Sequence, residues 1–132
     1  MALLQVAMCT EMGARPYNED RVLHGSGGNG LFAVLADGAG GHSRGAEAAE
    51  RATRCIERQL LDEPVAFSPA KLSTMVRAAH RELQQHQDPG GPGGEMHCTL
   101  VVLWVDPAQR HVLWTHVGDS RLYRVRHGRI DV

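Results

Sequence analysis

The sequence predicts an α+β fold built on antiparallel strands, and three observations lead there. Segments of strand character flank the glycine-rich stretch Gly25–Gly30 (GSGGNG), the pattern of a β-hairpin. Two helical stripes then follow one another between about residues 44 and 87. Beyond them, short apolar or alternating segments separated by turn residues read as an antiparallel meander.

Taken in order, Leu4-Gln5-Val6-Ala7-Met8 alternates and is expected to form a first strand. Glu11 to Glu19 is an irregular connection broken by Gly13 and Pro16, and it leads through Arg15-Pro16-Tyr17-Asn18-Glu19-Asp20 into a short extended piece, Arg21–His24. After the turn, Leu31–Ala36 has the length and residue type of a buried strand, and Asp37 falls at its end. Such a hairpin would bring Glu19 and Asp20 near Asp37, with the register left open by the loop length.

Glycines at 38, 40, 41 and 45 follow. From Arg44 to Asp62, small and apolar residues recur at 45, 48, 49, 52, 55, 56 and 60, a helical stripe suited to close packing on a sheet. Pro64 closes it. Ser68-Pro69 supplies an N-cap and a first-turn proline, and Leu72, Met75, Val76, Ala79 and Leu83 carry a second helix to about Gln87. Met75 belongs to that stripe as a core residue, and His80 and His86 are expected to face solvent.

Asp88–Gly94 reads as a surface loop. Cys98–Val105 is almost continuously apolar, which predicts a strand buried on both faces. Asp106-Pro107 turns, His111–Val117 forms another strand, Gly118-Asp119-Ser120 breaks it, and Arg121–Arg126 alternates before the turn at His127-Gly128. Ile130-Asp131-Val132 opens a further strand, so the fold reads as C-terminally incomplete.

Composition narrows the class. The chain has 132 residues, 42% of them hydrophobic and 22% charged, as in a soluble globular domain. A formal net charge of −1 gives no long-range attraction to nucleic acid or to an anionic membrane. Cys9, Cys55 and Cys98 are scattered and lack C-x-x-C spacing, which favours reduced thiols and a cytoplasmic setting. No stretch has the ~20 apolar residues of a membrane span, and the start lacks the basic segment of a signal peptide.

The glycine loop fits neither of two better-known phosphate-binding patterns. Gly40 and Gly45 have P-loop spacing, but Ala46-Glu47 stand where Lys and Ser or Thr are needed. A dinucleotide fingerprint from Gly38 would need glycine at 43, which is Ser43. The carboxylates remain. Glu19, Asp20, Asp37 and Asp119 all lie at strand ends or turns; three of them at ~4 Å would repel by ~4 kcal/mol per pair at an effective dielectric near 20. A cation or proton uptake would relieve that repulsion, and oxygen-only ligands suit Mg²⁺ or Mn²⁺ better than zinc. Arg15 and Arg121 offer planar donors for phosphate oxygens, so the set suits metal-assisted phosphoester hydrolysis. The plainer reading is a solvated charged surface with glycines that only turn the chain.

Three ordered motifs decide between these readings: Arg15-Pro16-Tyr17-Asn18-Glu19-Asp20, then Ala36-Asp37-Gly38-Ala39-Gly40-Gly41-His42, then His116-Val117-Gly118-Asp119-Ser120-Arg121. Together they resemble the metal-dependent protein phosphatase 2C family in its bacterial form. The resemblance implies that residues 1–132 form the N-terminal portion of a single domain of stacked antiparallel β-sheets flanked by helices. It also implies two Mg²⁺ or Mn²⁺ ions, bridged by Asp37, with Glu19 and the Gly38 carbonyl completing the second ion's protein ligands. Asp20 would orient the metal's water, Arg15 would hold the substrate phosphate, and Asp119 would lie beside the metals, at a third, weaker ion. The implied activity is removal of phosphate from phosphoserine and phosphothreonine in phosphorylated proteins.

Two departures from the family pattern stand out. Ala39 follows the Asp-Gly pair where some members have a histidine as candidate general acid, and His42 is not assigned that task. No Asp-Gly or Asp-Asn motif follows Asp119, so the first ion's remaining ligands are missing from this sequence. The expectation is therefore a phosphatase that is nearly inactive as this chain and prone to associate through an unpaired edge. The alternative is a non-catalytic domain that binds metal or a phosphopeptide without turnover.

Overall fold

A long hairpin opens the structure and forms one edge of its main sheet. Strand β1 (Asp20–Gly27) runs antiparallel to β2 (Gly30–Ala39), in a register that sets Asp20 opposite Asp37 and Gly27 opposite Gly30. The computed structural model describes residues 4–39, 42–91 and 94–132. Helices α1 (His42–Leu61) and α2 (Pro69–Gln85) follow, then β3 (His97–Cys98), β4 (Leu100–Asp106), β5 (His111–Val117), β6 (Arg124–Arg126) and β7 (Arg129–Asp131). The main sheet has the order β1-β2-β4-β5, with β3 extending the pairing of β2; β6 and β7 form a separate two-stranded sheet. This is the expected α+β architecture.

The core follows from the two periodicities. Phe32, Val34 and Ala36 of β2 and Leu100, Val102 and Trp104 of β4 alternate onto one face of the sheet and are buried. Ala49, Ala52, Cys55, Ile56 and Leu60 of α1 meet them, and the small residues let that helix lie close, while Ala48 packs with Leu83 and Met96. Leu72, Met75, Ala79 and Leu83 of α2 complete the layer, and Ser68 caps that helix by accepting the Lys71 N–H at 3.2 Å. The opposite face of the sheet leaves Leu35, Val112 and Trp114 exposed.

Asn29, in the hairpin turn, ties these layers together. Its side-chain amide donates to the carbonyls of Leu60 (2.8 Å) and Glu63 (2.7 Å), and its side-chain oxygen accepts the Val65 N–H at 2.8 Å. Its backbone carbonyl accepts the indole N–H of fully buried Trp104 at 2.7 Å. Phe67 packs edge-on against the same indole, with ring centroids 4.7 Å apart.

Several expectations need correction. Leu4–Met8 is not a strand: no described residue pairs with it, and Leu4, Val6 and Met8 are about half exposed, at 50%, 49% and 50%. Alternation marks which side chains could face a core but cannot supply a neighbouring strand for the backbone. The Cys98–Val105 strand is interrupted at Thr99, for a reason given below, and the extended segment from Arg121 is a strand only from Arg124. His86 is half-buried at the end of α2, where its N–H meets the Leu83 carbonyl. His80 is exposed and the three cysteines are free thiols, as expected. Part of the 88–94 loop, residues 92 and 93, lies outside the described residues.

Replacing Asn29 with alanine removes three hydrogen bonds at once while leaving the turn backbone in place. At a net ~0.5–1.5 kcal/mol each, Asn29→Ala is expected to lower the unfolding free energy by about 2–4 kcal/mol. Urea denaturation of the two proteins measures it; a loss below about 0.5 kcal/mol would show that water replaces these contacts at no cost.

Candidate functional site

Antiparallel pairing places Asp20 and Asp37 directly opposite one another at the open end of the hairpin. Their carboxyl groups are within hydrogen-bonding reach, and the Asp37 pKa is raised from its ordinary value. Partial desolvation of the carboxyl is the largest cause, followed by the hydrogen bond to Asp20 and then the negative charges of Asp20 and Asp119. Arg15 acts in the opposite direction. A polar cavity of about 210 Å³ opens here, lined by Glu11, Arg15, Asn18, Glu19, Asp20 and Asp37 among others.

The backbone of Asp37 is held on its other edge by Thr99. Leu35 stands opposite Val101 and Gly38 opposite Cys98, so in continuous register Asp37 faces Thr99. The Thr99 N–H donates to the Asp37 carbonyl at 2.9 Å. The return bond runs from the Asp37 N–H to the Thr99 hydroxyl at 3.0 Å. A side-chain hydroxyl thus receives the bond that a strand carbonyl would take, which is why β3 and β4 separate at this residue. The same hydroxyl lies 2.5 Å from that of Ser120, joining Asp37 to the turn that carries Asp119.

Glu19 is positioned by glycine. Its carbonyl accepts the Gly38 N–H at 3.0 Å, and its carboxylate lies over Gly45 in the first turns of α1. A Cβ on Gly45 would fall 2.8 Å from the Glu19 carboxyl carbon, and one on Gly38 would run into the Gly45 carbonyl. Only unsubstituted backbone lets the helix close on the strand end with the glutamate between them.

The structure therefore brings Arg15, Glu19, Asp20, Asp37 and Gly38 together but sets Asp119 apart. Asp119 lines a neighbouring cavity of about 270 Å³ with His116 and Arg121. Arg121 donates to the Tyr123 hydroxyl at 3.2 Å and does not line the Asp37 cavity. Glu19, Asp20 and Asp37 line one cavity, and Asp119 does not. Among the described residues, no three His, Cys, Asp or Glu side chains lie close enough to hold an ion. The cause is local: successive residues of an extended chain point to opposite sides, so Asp20 turns to Asp37 while Glu19 turns to α1. Gly40 and Gly41, and the side chain of His42, lie outside the described residues.

The residues present fit a divalent cation in their chemistry. Hard oxygen donors face one another, and the pair favours a proton where a cation would serve as well. Thr99 and Ser120 were not singled out by sequence. The available signal was one hydroxyl residue at the head of an apolar strand, which gains meaning only once the register sets it opposite Asp37.

With this geometry in place, comparison with known proteins is direct. Residues 14–131 match the family described as Protein phosphatase 2C, and the chain belongs to that family. No curated protein matches the chain. Among solved structures it resembles the serine/threonine phosphatase PstP of Mycobacterium tuberculosis, at 30% identity and a TM-score of 0.75, covering 89% of this chain and 48% of that one. The catalytic domain of PstP in complex with two manganese ions is 31% identical with a TM-score of 0.70, over 89% of this chain and 48% of that one. A bacterial serine phosphatase carrying an arginine-to-alanine substitution shares the fold, with a TM-score of 0.82 at 24% identity over 93% of this chain and 57% of that one. The chain thus spans about half the length of the structures it matches.

The raised Asp37 pKa has a definite sign for stability. The folded state prefers the protonated carboxyl, so this contribution is fully present below the unfolded Asp value, about 3.9, and is lost as pH rises through the higher folded value. Without divalent cations, Asp37→Asn is expected to gain stability relative to the parent between about pH 4 and about pH 7. Urea unfolding in the presence of a chelator at both values tests this. A constant difference would mean that Asp37 is not perturbed.

Proposed function

We propose that this chain supplies the phosphate-binding side and part of the metal-holding side of a phosphoserine/phosphothreonine phosphatase site. The observation that carries the reading is the facing Asp20–Asp37 pair in a polar cavity with Arg15, in a chain of the protein phosphatase 2C family. Asp37 would be the residue shared by two Mg²⁺ or Mn²⁺ ions, and Glu19 and the Gly38 carbonyl would help to hold one of them. Bound, such ions supply Lewis-acid charge for hydrolysis of a phosphoester by water. Arg15 presents a planar guanidinium at the same cavity and binds the phosphate oxygens of a phosphorylated protein. Asp20, next to Asp37, accepts a hydrogen bond from the attacking water and orients it. Asp119 adds negative charge from the side, and it would be the residue to help hold a third, weaker ion.

A second reading, binding without turnover, is favoured by one observation: Asp119 lines a cavity separate from that of Asp37. Mn²⁺ titration calorimetry and phosphopeptide hydrolysis separate the two readings. The 132-residue chain is expected to bind Mn²⁺ with turnover near background. Asp37→Asn should lower Mn²⁺ affinity more than Glu19→Gln, because a bridging carboxylate serves two ions. Arg15→Ala should weaken phosphopeptide binding and leave Mn²⁺ affinity unchanged. Equal losses from the two carboxylate variants would remove the bridging role. Phosphopeptide binding without hydrolysis, even in a chain extended to the length of its relatives, would establish the second reading.

A further inference from the structure

Glu19 lies just ahead of β1, which begins only at Asp20, so no strand pairing of its own holds it. Something must fix the peptides on either side of it, and the structure assigns that task to Arg21. We propose that Arg21 is a positioning residue, setting Glu19 for cation binding from the face of the sheet opposite the Asp20–Asp37 pair. This inference rests on the metal reading given above.

The geometry is specific. Arg21 Nη1 donates to the Asn18 carbonyl at 3.0 Å and to the Asp20 carbonyl at 2.7 Å. The carbonyl between them, that of Glu19, accepts the Gly38 N–H at 3.0 Å. Three successive carbonyls are therefore occupied, two by one guanidinium and one by β2. The Arg21 Nε donates to Glu50 Oε2 on α1 at 3.2 Å, anchoring the guanidinium to the helix whose Gly45 lies under the Glu19 carboxylate. The Asn18 side chain also accepts the Asp20 N–H at 3.1 Å, closing a tight local turn. Arg21 is directed away from the cavity because it alternates with Asp20 along the chain, so it does not compete with a cation or a phosphate.

Two physical effects make this arrangement matter. Carboxylates crowded at one strand end push their backbones apart, and a cation behind the strand opposes that without neutralising them in front. A rigid planar fork can also hold two carbonyls and a carboxylate at once, which a lysine ammonium on a flexible stem does poorly. Exposed ion pairs alone add little, and Arg21 and Glu50 are 36% and 44% exposed at their side chains, so the effect should appear in the geometry of Glu19 more than in global stability.

The test uses Mn²⁺ as the probe and the whole 132-residue chain. Groups that orient metal ligands typically contribute about 10–100-fold in affinity, and Arg21→Ala is expected to weaken Mn²⁺ binding by that order. The melting temperature of the metal-free chain should change little. Arg21→Lys should recover only a minor part of the loss, and amide exchange at Gly38 in the metal-free Arg21→Ala chain should quicken as its acceptor loosens. Full recovery by lysine would overturn positioning in favour of simple charge. Unchanged Mn²⁺ affinity and unchanged Gly38 exchange would overturn the role of Arg21 while leaving the metal reading intact. Failure of the parent chain to bind Mn²⁺ would overturn both.

Discussion

The register of one hairpin decides what this molecule can do. Side chains alternate across a strand, so a slip of one residue between β1 and β2 would move Asp37 away from Asp20 and exchange the faces of every residue in β2. Two terms hold the register. Phe32, Val34 and Ala36 are at most 4% exposed on the helix side, and burying a side chain of the size of Phe or Val is worth roughly 1.5–3 kcal/mol. Asn29 then fixes the turn against the end of α1 and the indole of Trp104. Facing aspartates oppose the pairing, with an interaction of a few kcal/mol at most near a surface. Burial wins, and the two carboxyl groups are held facing one another at the strand end.

The candidate site rests on backbone as much as on side chains. Gly38 and Gly45 admit the Glu19 carboxylate between strand and helix, where any Cβ would collide. Thr99 replaces a strand carbonyl with a hydroxyl, and that hydroxyl also meets Ser120. The ion pairs along α1, such as Glu47 with Arg44 and Arg51, lie on its side toward α2, where Arg44 also donates to the His86 carbonyl and Arg51 meets Glu82. The positions that matter most to the site are therefore glycine and hydroxyl residues rather than the conspicuous charges.

Much of this was legible in the sequence, unevenly. Every position of the α1 stripe, from Gly45 to Leu60, is buried, because close helix-on-sheet packing leaves a 3.6-residue signature in small residues. Ser68-Pro69 marked the start of α2 for reasons confined to one turn of chain. Leu4–Met8 misled because alternation is a property of a segment whereas pairing is a property of two. The neighbourhood of Asp37 and Asp20 followed from the hairpin, but the turn of Glu19 toward α1 and the separate cavity of Asp119 depended on which face each residue takes. Thr99 and Arg21 were invisible for the same reason: each acts on backbone groups that only the three-dimensional register brings within reach.

The two sides of Asp37 differ in how far along the chain their contacts reach, and this sets an order of assembly. Asp20 meets it within a single hairpin, the kind of unit that forms in about 1–10 μs. Thr99 reaches it across 62 residues and Trp104 reaches Asn29 across 75, contacts that wait on the closure of long loops around both helices. During synthesis the acidic pair therefore meets before the hydroxyl that restrains it exists. For that interval the strand end is held by the hairpin alone, and Asp37 gains its second restraint only when Thr99 arrives.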